Sequence, residues 1–252
     1  MTQEGQGKHA LITGASAGIG AALAEEFARH GFDLVLVARR EKKLNQIAQS
    51  IEKKYRVATQ IIKADLSRPE APTLLFDELA SRSVTIHALV NNAGLGLSGS
   101  FSELSWSAHN DFIQLMGTNV VHLCHLAVPK MREAGYGRIL NVASVAAFVP
   151  GEAGSLYRAL KAFVVHFSTA LNAENKDNNI SCTALCPGLT HTEFHDVMGA
   201  REEFQNRFPG FLWMDAETVA KQGYRALMKG ESIHINGWIY KLGARLSRAL
   251  SF

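Results

Sequence analysis

The chain has 252 residues, 47% of them hydrophobic and 19% charged, with a formal net charge of +3. That length and apolar content allow a sizeable core without disulfides or a structural metal, and fit one large α/β domain better than two small ones. The low charged fraction speaks against a disordered tail. The scattered positive charge, clustered only at Arg39-Arg40 and Lys42-Lys43, speaks against a nucleic-acid binder.

Apolar runs alternate with helical patterns along the chain. A first strand is predicted over residues 8–13 and a helix over 19–30. Between them lies Thr13-Gly14-Ala15-Ser16-Ala17-Gly18-Ile19-Gly20, a run of small residues between a strand and a helix. Glycines permit the tight turn, and bare backbone N–H groups at a helix start suit a pyrophosphate. A second strand, 32–38, ends at Val37-Ala38-Arg39-Arg40, and a helix follows over 41–54. NAD binders place a carboxylate at that strand tip for the ribose hydroxyls. Here arginine stands there, and a guanidinium suits a 2′-phosphate, so the expected cofactor is NADP(H). Arg39 is the expected phosphate ligand, with Arg40 and then Ser16 in support. Further strands are predicted over 57–63, 86–91, 138–143 and 180–185, with a short seventh over 232–235.

Near-continuous apolar strands separated by helices imply a doubly wound, mostly parallel seven-stranded sheet with helices on both faces, a Rossmann-type α/β fold. One domain over 1–252 is expected, with a cofactor half over about 1–145 and a catalytic and substrate half over about 146–252. The three cysteines, Cys124, Cys182 and Cys186, form no Cys-x-x-Cys pair. They read as core residues of a reducing compartment, without a disulfide framework or a metal site. Residues 1–7 lack a secretory h-region, and no apolar run reaches a membrane span, so a cytoplasmic protein is expected.

Four further motifs appear in order: Asn91-Asn92-Ala93-Gly94, then Ser144, then Tyr157-Arg158-Ala159-Leu160-Lys161, then Pro187-Gly188. With the glycine turn, they resemble the short-chain dehydrogenase/reductase family over nearly the whole chain. The resemblance implies an NADP(H)-dependent oxidoreductase interconverting a carbonyl and an alcohol. It places Gly14, Gly18 and Gly20 around the phosphates with Ile19 opening the helix, and Asp65 and Leu66 at the adenine. Asn91, Ala93 and Gly94 would line the groove, and Pro187, Gly188 and Thr192 would hold the nicotinamide end. It also gives Lys161 the nicotinamide ribose, and Asn119, in a long helix around 111–131, a water that links Lys161 to solvent. Cys186 departs from the family, where many members carry Asn. A homodimer or homotetramer through the helices around 111–131 and 157–172 is implied as well.

The chemistry also follows from the residue types. Reducing a ketone needs a proton for its oxygen, and Tyr157 is the natural acid. Lys161, four positions on, shares its helix face, and an ammonium there favours phenolate. Ser144 offers a hydroxyl to the developing negative oxygen. The resemblance implies that Tyr157 and Lys161 bind the cofactor as well. After Gly188 an irregular stretch carries Phe194, Met198, Phe204, Phe208, Phe211 and Trp213. With Phe148 and Leu95 these suggest an apolar pocket for a small substrate, contacted by Ser144, Phe148, Tyr157, Phe194 and Met198. His191 and His195 are read as surface or covering residues. The stretch 238–252 reads as an amphipathic helix, assigned first to packing within an oligomer. The competing reading is a non-catalytic NADP-binding sensor or scaffold of the same fold.

Overall fold

The structure, a computed structural model, describes residues 4–97, 99–149, 155–193 and 208–250. The strands are β1 (His9–Thr13), β2 (Asp33–Ala38), β3 (Thr59–Lys63), β4 (Ile86–Asn91), β5 (Gly137–Val142), β6 (Ile180–Cys186), β7 (Thr190–His191), β8 (Met214–Asp215) and β9 (Ile233–Ile235). The helices are α1 (Gly18–Arg29), α2 (Glu41–Tyr55), α3 (Ala71–Ser81), α4 (Trp106–Ile113), α5 (Asn119–Glu133), α6 (Ser155–Glu174), α7 (Ala216–Met228) and α8 (Trp238–Leu250). Seven strands form one sheet in the order β3-β2-β1-β4-β5-β6-β9, and β7 and β8 pair separately. Every pairing is parallel.

Alternation along each strand feeds both faces. Ile12, Leu34, Leu36, Val90 and Leu185 pack with Phe27 of α1, Leu44 of α2 and Val219 of α7. Leu11, Val35, Val37, Leu89 and Ile139 pack on the opposite side with Leu79 of α3, Phe112 of α4 and Leu123 of α5. A sheet buried on both faces needs apolar residues at successive positions, which is why these strands read as unbroken apolar runs. The strand order reverses between β1 and β4, so a crevice opens beyond the carboxyl ends of these two neighbours.

One expectation needs correction. The single long helix around 111–131 is broken: α4 ends at Ile113, a π-helical turn spans Gln114–Thr118, and α5 starts at Asn119. Within this turn Gly117 packs closely on α6: a Cβ there would come 3.1 Å from the Leu160 side chain. At the C-terminus, α8 lies against its own domain, one of the placements its amphipathic pattern allows. Its Ala244 is buried, and its Tyr240 hydroxyl accepts from the Leu189 N–H at 3.1 Å and donates to the Leu212 carbonyl at 2.9 Å. Phe194 and Met198, the expected substrate contacts, lie outside the described residues, as do His195 and Phe204.

Candidate active site

The crevice begins at the glycine turn. Gly14 and Gly18 have φ of 65° and 55°, the left-handed region that glycine adopts without strain. A Cβ on Gly20 would lie 2.3 Å from the Gly14 carbonyl oxygen, so the turn closes only without side chains. Ala17 gives α1 no side-chain cap, and the first turn carries no acid. The helix therefore presents free N–H groups and an uncompensated positive end, which suits a pyrophosphate. The residues present thus fit a dinucleotide.

Thr13 and Asn92, neither singled out individually from the sequence, hold this turn in place. The Thr13 hydroxyl donates to the Val90 carbonyl at 3.1 Å and accepts from the N–H groups of Asn92 and Ala93 at 2.9 and 3.0 Å. The Asn92 amide donates to the carbonyls of Thr13 and Gly14 at 3.0 and 3.3 Å. β1 and β4 are thereby locked where the sheet order reverses. The signal was available, because Asn92 sits inside the quoted Asn-Asn-Ala-Gly run. Gly94 abuts the π-helical turn: a Cβ there would lie 3.0 Å from the Met116 sulfur.

Asn91 turns its side chain inward. Its amide donates to the Asn141 carbonyl oxygen at 2.8 Å, and the Asn141 amide donates to the Ser168 hydroxyl of α6 at 2.9 Å. Cys124 and Cys182 flank this buried pair, and all three cysteines are buried and free. Asn91 therefore ties β4 to β5 and α6.

The arginines diverge. The Arg39 charge acts on Asp65, whose carboxyl burial pushes up but whose hydrogen bonds from Ser67, with Arg39 and Arg68, hold below its ordinary value. Leu66 beside it is buried. Arg40 reaches the glycine turn instead, donating from Nε and Nη2 to the Ser16 hydroxyl at 3.1 and 3.0 Å.

At the ends of β5 and α6, Ser144, Tyr157 and Lys161 come together. Ser144 caps the short 3-10 turn Val145–Phe148, accepting from the Ala146 N–H at 3.1 Å, and its hydroxyl is hydrogen-bonded to Tyr157. The Lys161 ammonium lies 5.7 Å from the centre of the Tyr157 ring and donates to the Val142 carbonyl at 2.7 Å. Burial pushes the lysine down to about 8, against a smaller upward effect of Cys186. Burial pushes the Tyr157 phenol above its ordinary value, while the Ser144 hydrogen bond and the Arg158 charge pull it back part of the way. The expected lowering by Lys161 is not among these effects: the ammonium is directed to Val142, and burial sets the direction of the Tyr157 shift. Asn119 starts α5 directly after the π-helical turn. It is buried, and its Oδ1 has no hydrogen-bond partner among the described residues.

The Pro187 carbonyl accepts from the Val145 N–H at 3.0 Å, joining the segment after β6 to the turn after Ser144. Gly188 is pressed against Tyr240, whose ring would lie 2.1 Å from a Cβ there. Thr192 lies over Gly18, its Cβ 3.0 Å from where a Cβ on Gly18 would stand. Phe148 packs against the small cluster around Ala143, Val164 and Cys186. The aromatic stretch departs from expectation. Phe211 is 72% exposed, because the short turn Gly210–Leu212 carries it outward, and Trp213 stacks on the exposed His191 with ring centres 5.0 Å apart.

A doubly wound sheet with a glycine-rich dinucleotide turn at its switch point, and a serine, tyrosine and lysine gathered beside it, defines a nicotinamide-dinucleotide-binding α/β protein. The chain belongs to the short chain dehydrogenase family, whose sequence profile matches residues 8–203. It is 35% identical over 201 residues to very-long-chain 3-oxoacyl-CoA reductase-B of Danio rerio, covering 78% of this chain and 64% of that protein. The chain thus spans less than two thirds of the length of that relative. It is 32% identical over 235 residues to the NADP-dependent 3-hydroxy acid dehydrogenase of Schizosaccharomyces pombe, covering 91% and 90% of the two chains. A short-chain dehydrogenase from Sphingobium yanoikuyae in complex with NADPH superposes with a TM-score of 0.84 at 33% identity, over 97% of this chain and 96% of that one.

Proposed function

We propose that this protein is an NADP(H)-dependent oxidoreductase that interconverts a carbonyl and an alcohol on a small apolar substrate, with Tyr157 as general acid and base. The observation that carries the reading is the Ser144–Tyr157 hydrogen bond beside Lys161 at the mouth of the dinucleotide crevice. The NADPH complex of the Sphingobium yanoikuyae structure and the NADP dependence of the fission-yeast relative support the cofactor.

NADPH supplies the hydride when bound. The Tyr157 hydroxyl then gives its proton to the carbonyl oxygen, and Ser144 donates a hydrogen bond to the same oxygen as charge gathers on it. The Lys161 ammonium stabilises the resulting phenolate by its charge and replaces the proton. The unpartnered Oδ1 of Asn119 supports its assignment to a water between Lys161 and solvent. Arg39 and Arg40 with Ser16 take the 2′-phosphate, Asp65 and Leu66 the adenine, and Pro187, Gly188 and Thr192 the nicotinamide. The names of the relatives put 3-oxoacyl and 3-hydroxy acid compounds first among substrates to try.

The test is fluorescence titration with NADPH and NADH, followed by turnover of apolar ketones, aldehydes and 3-oxoacyl esters. Tyr157→Phe is expected to lose about 10²- to 10⁴-fold in turnover while retaining NADPH binding. Tight NADPH binding with no turnover across the panel, and no effect of Tyr157→Phe, would favour the sensor or scaffold reading instead. The half-exposed Phe163, stacked on Phe167 of α6 with ring centres 6.0 Å apart, supports a homodimer or homotetramer through α5 and α6. No helix among the described residues is long and apolar enough to cross a membrane. The three free cysteines suit a reducing, cytoplasmic setting.

A further inference from the structure

One side chain beside the glycine turn is not foreshadowed by any local sequence pattern. Glu193 follows Thr192 beyond β7, above the start of α1. One carboxylate oxygen accepts from Nη1 of Arg40 at 2.6 Å, and the other accepts from Nζ of Lys43 at 2.7 Å. The same guanidinium donates through Nε and Nη2 to Ser16 of the glycine turn. Arg40 is therefore forked between a hydroxyl at the dinucleotide turn and a carboxylate, and Lys43, one turn of α2 away, closes the other side. The side chains of Arg40, Lys43 and Glu193 are each 45% exposed, so these ion pairs are water-accessible and exchangeable. An anion held by two cations beside the first-strand turn has the recognition chemistry of a phosphate monoester.

We propose that Lys43 joins Arg39 and Arg40 in holding the 2′-phosphate of NADP(H), and that Glu193 is the built-in counter-ion of Arg40 and Lys43, displaced when the phosphate binds. Glu193 thereby sets how strongly the chain prefers the phosphorylated cofactor. The inference rests on the assignment of this end of the crevice to the 2′-phosphate, and it adds Lys43 and Glu193 to that assignment. A monoester carries close to two negative charges and three strong acceptor oxygens. It therefore outcompetes a single carboxylate for the same two donors, but at a cost that NADH, which has no 2′-phosphate, does not meet. Lowering that cost favours NADPH alone. The Lys43 and Arg40 hydrogen bonds hold the Glu193 carboxyl below its ordinary value, so it is ionised throughout the neutral range.

The test is direct binding of NADPH and of NADH to the intact protein by nicotinamide fluorescence, with a thermal melt to show that each variant is folded. Glu193→Gln keeps the shape and removes the charge. It is expected to tighten NADPH about fivefold, the scale of one exposed ion pair, and to leave NADH within about twofold. Lys43→Met is expected to weaken NADPH about fivefold with NADH unchanged. Equal effects of Glu193→Gln on the two cofactors, no effect on either, or weakened NADPH binding would each overturn the counter-ion role. Wild-type protein that binds NADPH no more tightly than NADH would overturn the phosphate assignment, and the proposal with it. A wild-type preference for NADPH that Glu193→Gln leaves untouched would overturn the proposal alone.

Discussion

Lys161 donates to the Val142 carbonyl, and burial pushes its pKa down to about 8. Below that pH the lysine is charged in both states, and the folded state bears the desolvation cost. Between about 8 and the ordinary lysine value near 10.4, the folded protein has lost the proton that the unfolded chain still holds, so stability rises with pH. The sign is the reverse of an ion-paired lysine. Replacing Lys161 by Met removes this dependence, so the stability of the wild type relative to Lys161→Met is expected to rise by about 3 kcal/mol from pH 7 to pH 10.5. Denaturant unfolding of the cofactor-free proteins at the two pH values checks it, and parallel curves would refute it. At this scale the sequence was readable where one helix or one turn carries the chemistry. Tyr157 and Lys161 are one helical turn apart, and Gly14, Gly18 and Gly20 share one turn. It was not readable where partners meet across the fold: Glu193 lies 153 positions from Arg40, and no local pattern connects them.

The elements that build the site do so by omission of side chains as much as by their presence. Gly20 lies in α1, where alanine is otherwise the better helix former by about 1 kcal/mol. Yet a methyl group there would overlap the Gly14 carbonyl and the Asn92 amide at 2.3 and 2.4 Å. Gly20→Ala is expected to cost about 1–3 kcal/mol in stability and to weaken NADPH binding more than tenfold, because the turn must open to accept it. Gly210→Ala, at a position with nothing within 4 Å, is the matched control and is expected to change neither. Equilibrium unfolding and cofactor titration on both variants decide the matter. The order of strands and helices followed from the alternation of apolar runs with helical periodicity. The π-helical turn before Asn119 did not, since one inserted residue per turn leaves the apolar pattern nearly intact. The turn meets α6 through Gly117 and Gly94 through Met116, contacts visible only once these elements are assembled.

At the scale of the whole molecule, the sheet brings the cofactor crevice and the serine, tyrosine and lysine group to one edge, and α8 closes that edge at Gly188. Tyr240 provides the closure with two hydrogen bonds, to Leu189 and Leu212. Tyr240→Phe keeps the ring against Gly188 and leaves the Leu189 N–H and Leu212 carbonyl without this partner. It is expected to cost about 1–3 kcal/mol in stability and to raise the NADPH dissociation constant. Thermal unfolding and cofactor titration test both, and wild-type values in the two assays would show that the ring alone suffices. The amphipathic period of α8 was plain in the sequence, but its docking partner was not, because an apolar stripe specifies that a helix is buried and not against what. The separation of these partners also has a consequence for biosynthesis. Leu189 and Tyr240 are 51 positions apart, so a ribosome adding 5–20 residues per second leaves the Leu189 N–H without this partner for about 3–10 seconds after it is made. By then the first strand and its glycine turn have long been synthesised. The closure at Gly188 is thus among the last contacts that synthesis makes available to the chain.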